Sequence, residues 1–353
     1  MKEISIGKRL IGPNQPPFII AELSGNHSQN YELALSMVDA AAKAGAHAIK
    51  LQTYTADSMT LDVDSPDFVI QEKDSLWHGE SLHALYAKAS TPYEWHKPLF
   101  DHAQSLGMLA FSSPFDEDAV DFLDELNVPC YKIASFELTD IPLIRKAASK
   151  GKPLIMSTGM ASLSEIELAV ATARSAGCDD IILLKCTSTY PASPENTNLL
   201  TIPHLRDAFG TQVGLSDHTK GIGVSVASVT LGATVIEKHF VLDRNAGGVD
   251  AAFSLEPNEL SALVEESRRA HQALGEVCYG GMEAEQKSKH YRRSIFVSKS
   301  VKKGEVLTAQ NLKIVRPASG LQPKHWDDVI GQVATQDLVA GTPMNWHLCA
   351  PAT

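Results

Sequence analysis

Five runs decide the fold: CYKIAS (130–135), PLIMST (153–158), IILLKC (181–186), VGLS (213–216) and TVIEKH (234–239). Each is short, β-rich and followed by a longer stretch of helical pattern. Working outward toward the amino terminus, three more runs have the same character: FIIAEL (18–23), AHAIKLQTY (46–54) and MLAFS (108–112). Between them lie amphipathic stretches at 31–43, 92–105, 119–126 and 162–175, and another at 257–274 follows the last strand. Strands that alternate with helices imply a parallel sheet with right-handed crossovers. Eight such units point to a closed (β/α)8 barrel before an open doubly wound sheet. No glycine-rich phosphate or dinucleotide fingerprint opens any of the helices.

The barrel is expected over residues 1–280. The stretch 281–293, GMEAEQKSKHYRR, is polar and reads as a linker. Residues 294–353 hold two similar phrases, VSKSVKKGEVLTAQNL (297–312) and ATQDLVAGTPMNWHL (334–348). Each has an alternating strand and a turn glycine, Gly304 or Gly341. We expect a small, mostly β second domain with internal pseudo-symmetry, too small to hold a large core alone. The connection 55–91 is long and weakly periodic, the pattern of a lid or binding loop or of a plain surface insertion.

Composition narrows the function. Of 353 residues, 44% are hydrophobic and 21% charged, which suits a globular chain and excludes a disordered one. The net charge of −11 argues against nucleic acid as a partner but leaves room for a locally positive pocket. Five cysteines without a CxxC pair give neither a disulfide framework nor a cysteine zinc site. No apolar run approaches the roughly 18 residues of a membrane span. A cytoplasmic protein, not associated with membranes, is expected.

In such a barrel the active site forms at the carboxyl ends of the strands. Those ends offer Glu22; Lys50 and Gln52; Ser113; Lys132, Ser135 and Glu137; Ser157; Ser188 and Tyr190; Ser216 and His218; Glu237 and His239. Lys50 and Lys132 sit inside apolar runs, and a buried ammonium is costly unless it meets an anion. They either form a phosphate and carboxylate cradle with the nearby hydroxyls or pair with Glu22 or Glu237. A lysine here could also form a Schiff base. His218 and His239 end adjacent strands. They either hydrogen-bond or hold one catalytic metal with positions left open for water and substrate.

FIIAELSGNH (18–27), KLQTYTAD (50–57), FSSPFD (111–116), YKIASFE (131–137), STGM (157–160), KCTSTYP (185–191), GLSDHT (214–219) and EKHF (237–240) together resemble the sialic acid synthase family. The tail resembles that family's antifreeze-like (SAF) domain, and the likeness covers nearly the whole chain. Within the family, LQTYTADSMTLD (51–62), TPYEWHKPLFD (91–101), TSTYPASPENTNLLTIPHLR (187–206) and GGVDAAFSLEP (247–257) are most similar to the pseudaminic acid subgroup.

The resemblance implies a condensation of phosphoenolpyruvate with an amino-sugar aldehyde, 2,4-diacetamido-2,4,6-trideoxy-L-altrose before the legionaminic or N-acetylneuraminic acid precursors. It implies a divalent metal, manganese before magnesium or cobalt, held by His218 and His239. Phosphoenolpyruvate falls to Lys50, Ser113, Lys132, Ser135, Ser157, Ser188 and Ser216, with Ser188 standing where neuraminate synthases have asparagine. The sugar falls to Glu22, Gln52, Glu137, Tyr190 and Asp250, with Glu22 and Asp250 as candidates for proton transfer. The resemblance further implies a homodimer whose SAF domains are swapped, so that Arg316 of the partner subunit reaches the sugar. A Schiff-base lyase, or an inactive barrel carrying a sugar- or ice-binding tail, stands against this reading.

Overall fold

The computed structural model describes every residue except Met1, Glu72, Asp74, Leu76 and Thr353. The chain divides into two compact units, Met1–Leu274 and Gly275–Thr353.

In the first unit a short hairpin, β1 (Ile4–Ile6) with β2 (Arg9–Ile11), precedes the barrel. The barrel strands are β3 (Phe18–Glu22), β4 (Ala48–Thr53), β5 (Leu109–Pro114), β6 (Tyr131–Ile133), β7 (Leu154–Ser157), β8 (Ile181–Cys186), β9 (Gln212–Asp217) and β10 (Val235–His239). All eight are parallel and close by pairing β10 with β3. Each expected strand is present, with its ends moved by a few residues.

The hairpin was not expected from sequence. It covers the amino ends of the strands: Gln212 donates its side-chain N–H to the Lys2 carbonyl at 2.9 Å, and Lys2 pairs with Asp180 at 3.0 Å. Ile4, Ile6 and Ile11 join the barrel core. Gly214 permits close approach inside the barrel, since a methyl there would lie 2.6 Å from Leu184 Cδ2.

Local chemistry sets the helix boundaries. Asn30 caps Tyr31–Ala44 by accepting the Leu33 N–H at 3.0 Å, and Gly45 ends it at φ +89°. Ser162 and Glu165 form a capping box on Leu163–Ser175. Such a cap contributes about 1 kcal/mol. Helices Ile141–Ala148, Thr201–Phe209 and Gly223–Thr230 were not anticipated. The last, GVSVASVT, is poor in helix formers and lacks polar/apolar contrast; its buried Ser225 belongs to a polar contact behind β9, and its buried Ser228 donates to the Ser225 carbonyl.

Of the 55–91 connection, Glu72, Asp74 and Leu76 lie outside the described residues; the rest includes helices Ala56–Met59 and Leu82–Ala89. Among the described residues no helix is long and apolar enough to cross a membrane.

In the second unit, β11 (Ser294–Val297) pairs antiparallel with β12 (Leu312–Val315), and β13 (Val333–Ala334) with β14 (Cys349–Ala350). The stretch 281–293 carries two short helical turns, Glu283–Gln286 and Lys287–Tyr291. Gly304 and Gly341 take φ of +81° and +91°. Gly304 donates to the Ala334 carbonyl and Gly341 to the Val297 carbonyl, both at 2.8 Å. Val301 and Leu338 exchange backbone bonds at 2.9 and 2.8 Å. The two repeated phrases thus embrace each other reciprocally, around Ile295, Val297, Leu307, Leu312, Leu338 and Met344.

Candidate active site

Side chains alternate along a strand, so every second residue of a barrel strand points inward. On β4 this aims Lys50 and Gln52 into the barrel, while Thr53 turns outward to His96 at 2.8 Å. On β9 it aims Ser216 inward, and on β10 Glu237 and His239. The register then stacks them: Glu22 lies beside both Lys50 and His239, Gln52 beside Ser113, and Ser216 beside both Glu237 and Cys186.

Four buried charges meet at the carboxyl end. Lys50 contacts Glu22 in a short ion pair and donates to Ser113 Oγ at 3.1 Å. Glu237 Oε1 lies 3.6 Å from Lys50 Nζ and 3.7 Å from Lys132 Nζ, so one carboxylate serves two ammonium groups. Ser216 Oγ lies 3.5 Å from the same oxygen. The lysines therefore do meet internal acids, as one reading of the sequence allowed. The acids differ in state. Burial pushes the Glu22 carboxyl up to about 7 against the pull of Lys50. Glu237 is also penalised by burial, but Lys132 and Lys50 hold it below the usual range. The two lysines thus face one carboxylate that they hold in its ionised form and one whose ionisation burial opposes.

Beside this cluster stand the histidines, with ring centroids 5.3 Å apart. The His218 Nδ1 meets the Thr187 carbonyl at 2.9 Å. Serving as donor there, it leaves Nε2 as a lone-pair ligand, the arrangement common behind metal-binding imidazoles. Burial, together with the nearby positive charges of His218 and the lysines, holds His239 well below its usual value and so neutral. Its Nδ1 is buried without a hydrogen bond, with Asp250 Oδ2 at 3.5 Å. Asp250 also accepts a short hydrogen bond from Ser24 Oγ. His218 is held above its usual value, the effect of burial being outweighed by Cys186 and the Thr187 carbonyl, so its Nε2 would give up a proton when a divalent cation binds; the two imidazoles then fit a cation that completes its shell with water or substrate. Among the described residues no group of three or more His, Cys, Asp or Glu side chains forms a closed metal site.

The serines form a second wall. Ser135 Oγ accepts the Gly159 N–H at 3.1 Å. A methyl on Gly159 would lie 2.7 Å from Ser135 Oγ and collide with Ser188 Oγ, so Ser135 and Ser188 flank this glycine. Ser157 Oγ, Glu137 Oε2 and Glu237 Oε2 are buried without partners. Buried polar atoms are normally hydrogen-bonded. Their concentration at one barrel mouth marks a place shaped for a polar ligand. Burial also raises the Glu137 carboxyl to about 7.

An aromatic wall completes the mouth. The Tyr190 ring lies 4.6 Å from His218, 5.4 Å from Phe253 and 6.1 Å from Trp77. Sequence reading offered Glu237 as a partner for a lysine but not its sharing between both, and it missed Cys186 at 3.8 Å from His218 and the place of Trp77 in the aromatic wall. Two-residue alternation with His239 was the available signal for Glu237; Trp77 carried none. Arg316 lies exposed at the end of β12 in the second unit.

Comparison with known proteins places this geometry. The NeuB family model matches residues 37–279, and the SAF domain model matches 292–348. The chain belongs to the NeuB family. It is 45% identical to the pseudaminic acid synthase of Helicobacter pylori over 94% of this chain and 97% of that protein. Identity is also 45% to the pseudaminic acid synthase of Campylobacter jejuni, over 92% and 94%. A solved N-acetylneuraminic acid synthetase from Leptospira borgpetersenii superposes with a TM-score of 0.73 at 36% identity, covering 82% of this chain and 96% of that one. Family membership covers both units, the barrel with its histidine pair and the SAF domain.

Proposed function

We propose that the protein condenses phosphoenolpyruvate with 2,4-diacetamido-2,4,6-trideoxy-L-altrose and water, giving pseudaminic acid and phosphate. One observation carries the reading. Paired imidazoles and paired lysines converge in one barrel mouth, in a chain 45% identical over nearly its whole length to a pseudaminic acid synthase.

In this reading Lys50 and Lys132 supply positive charge to phosphoenolpyruvate, and Ser113, Ser135, Ser157, Ser188 and Ser216 supply hydroxyls. Glu22, Gln52, Glu137, Tyr190 and Asp250 hold the sugar. His218 and His239 would hold a divalent cation, manganese before magnesium or cobalt, which supplies Lewis-acid polarisation of the C1 carbonyl when bound. C3 of phosphoenolpyruvate forms the new bond to that carbon as the C1–O π bond opens, the oxygen becoming a hydroxyl with the proton that the added water gives up by way of Glu22, and cationic character develops at C2. Glu22 takes a proton from the water that adds there; a carboxyl poised near neutrality suits that exchange. The adduct then loses phosphate by C–O cleavage. Fixed positioning of both substrates supplies much of the rate.

The protein is further proposed to be cytoplasmic and a homodimer, with Arg316 of the partner subunit reaching the sugar from a swapped SAF domain. Mixing Arg316→Ala with His239→Ala chains then restores part of the activity. The decisive assay measures phosphate release with the trideoxy sugar and with the legionaminic and N-acetylneuraminic acid precursors. Equal or greater turnover of either competitor sinks the sugar assignment. Borohydride trapping of a pyruvate adduct on a lysine sinks the condensation itself.

A further inference from the structure

Each histidine of the pair is preceded in sequence by a buried charge, and the two charges are opposite. Asp217 and Lys238 are register partners on β9 and β10. Because Ser216 and His218, like Glu237 and His239, take the inward positions, Asp217 and Lys238 turn outward into the helix layer. Lys238 is fully buried at 0% exposure, with Nζ 3.2 Å from Asp217 Oδ2, and it donates to the Thr219 carbonyl. Asp217 Oδ1 accepts the Thr219 N–H at 2.8 Å, and Oδ2 accepts from Ser225 Oγ at 2.6 Å. Both backbone neighbours of His218 are therefore tied to a side chain from the strand that carries His239.

Stability alone is a poor reason for such a pair. Taking two charges out of water offsets most of their attraction, and an apolar pair of similar volume is often as stable or more so. What an apolar pair lacks is direction. It cannot grip Thr219 at both its N–H and its carbonyl, so it leaves the backbone around His218 free to shift against β10. Metal sites are sensitive to this, because ligand positions must match the ion closely.

We propose that Asp217 and Lys238 are positioning residues that fix His218 relative to His239 and thereby set the affinity for a divalent cation. This rests on the reading that the two histidines hold one. Ser225, on helix Gly223–Thr230, is the outer support of Asp217, which accounts for a buried serine in a helix of low propensity.

The test uses the full-length protein stripped of metal. Mn2+ affinity is read from the free-ion electron paramagnetic resonance signal, and folding from the thermal transition without metal. The paired variant Asp217→Leu with Lys238→Met keeps the apolar packing and removes the grip on Thr219. It is expected to unfold near the wild-type temperature while its Mn2+ affinity falls about 10- to 100-fold, the usual scale for a supporting partner of a metal ligand. A folded paired variant with Mn2+ affinity within twofold of wild type overturns the proposal. If the paired variant does not fold, Ser225→Ala decides: a severalfold loss of affinity supports the proposal and unchanged affinity overturns it. His218→Ala runs in parallel. Mn2+ affinity that His218→Ala leaves unchanged identifies failure of the metal reading itself, and overturns both.

Discussion

The Trp77 indole N–H donates to the Val249 carbonyl at 3.3 Å, joining positions 172 residues apart. The bond ties the 55–91 connection to the segment that carries Asp250. Trp77 also stands against Tyr190, which stands against His218. The long connection is thereby anchored beside Tyr190 and Asp250, two of the residues proposed to hold the sugar.

Trp77→Ala is therefore expected to raise the KM for the sugar about tenfold, roughly 1.4 kcal/mol, and to leave the KM for phosphoenolpyruvate near its starting value. Steady-state kinetics with each substrate varied in turn checks this. A change confined to phosphoenolpyruvate would contradict the placement.

Gly159→Ala tests the other wall. Its methyl would fall 2.7 Å from Ser135 Oγ and against Ser188. The backbone there is not in the left-handed region and the first atoms met are rotatable hydroxyls, so folding should survive with only a small drop in thermal midpoint. The KM for phosphoenolpyruvate should rise about tenfold or more, a loss of at least roughly 1.4 kcal/mol. Unchanged phosphoenolpyruvate kinetics would remove Ser135 and Ser188 from the anion site.

His239→Ala removes one of the two imidazoles. Loss of a supporting partner already weakens metal binding about 10- to 100-fold, so loss of a ligand should do at least as much. Calorimetric titration with Mn2+ reads this directly, beside phosphate release at saturating metal. Full turnover in His239→Ala after exhaustive chelation ends the metal-dependent reading.

Glu137 supplies a pH prediction. Burial raises its carboxyl from 4.5 in the unfolded chain to about 7 in the fold. The folded state then binds the proton more tightly. The contribution is fully present below about pH 4.5 and is lost as pH rises through 7. Glu137→Gln cannot ionise and should lose less thermal stability than wild type between pH 5 and 8. Melting curves at several pH values compare the two slopes, and parallel slopes would refute the assignment.

Much of the barrel was legible in the residues. Eight β-rich runs alternate with helices, and short-range spacing alone fixes that pattern. The helix Pro257–Leu274 was legible for the same reason. The hairpin Ile4–Ile6/Arg9–Ile11 was not, because strands of three residues carry too little alternation to read. Gly223–Thr230 was hidden because its composition serves a buried polar contact instead of helix propensity.

The sequence by itself determined the barrel order, the SAF-like tail and the set of polar residues at the strand ends, since each depends on neighbours a few positions away. Only the tertiary structure decided how those residues are shared out: Glu237 between two lysines, His218 and His239 toward the mouth, Asp217 and Lys238 behind it. The reason is physical. Alternation sends adjacent residues to opposite faces, but which face becomes the cavity, and which distant strands meet there, is set by closure of the barrel through β10 and β3.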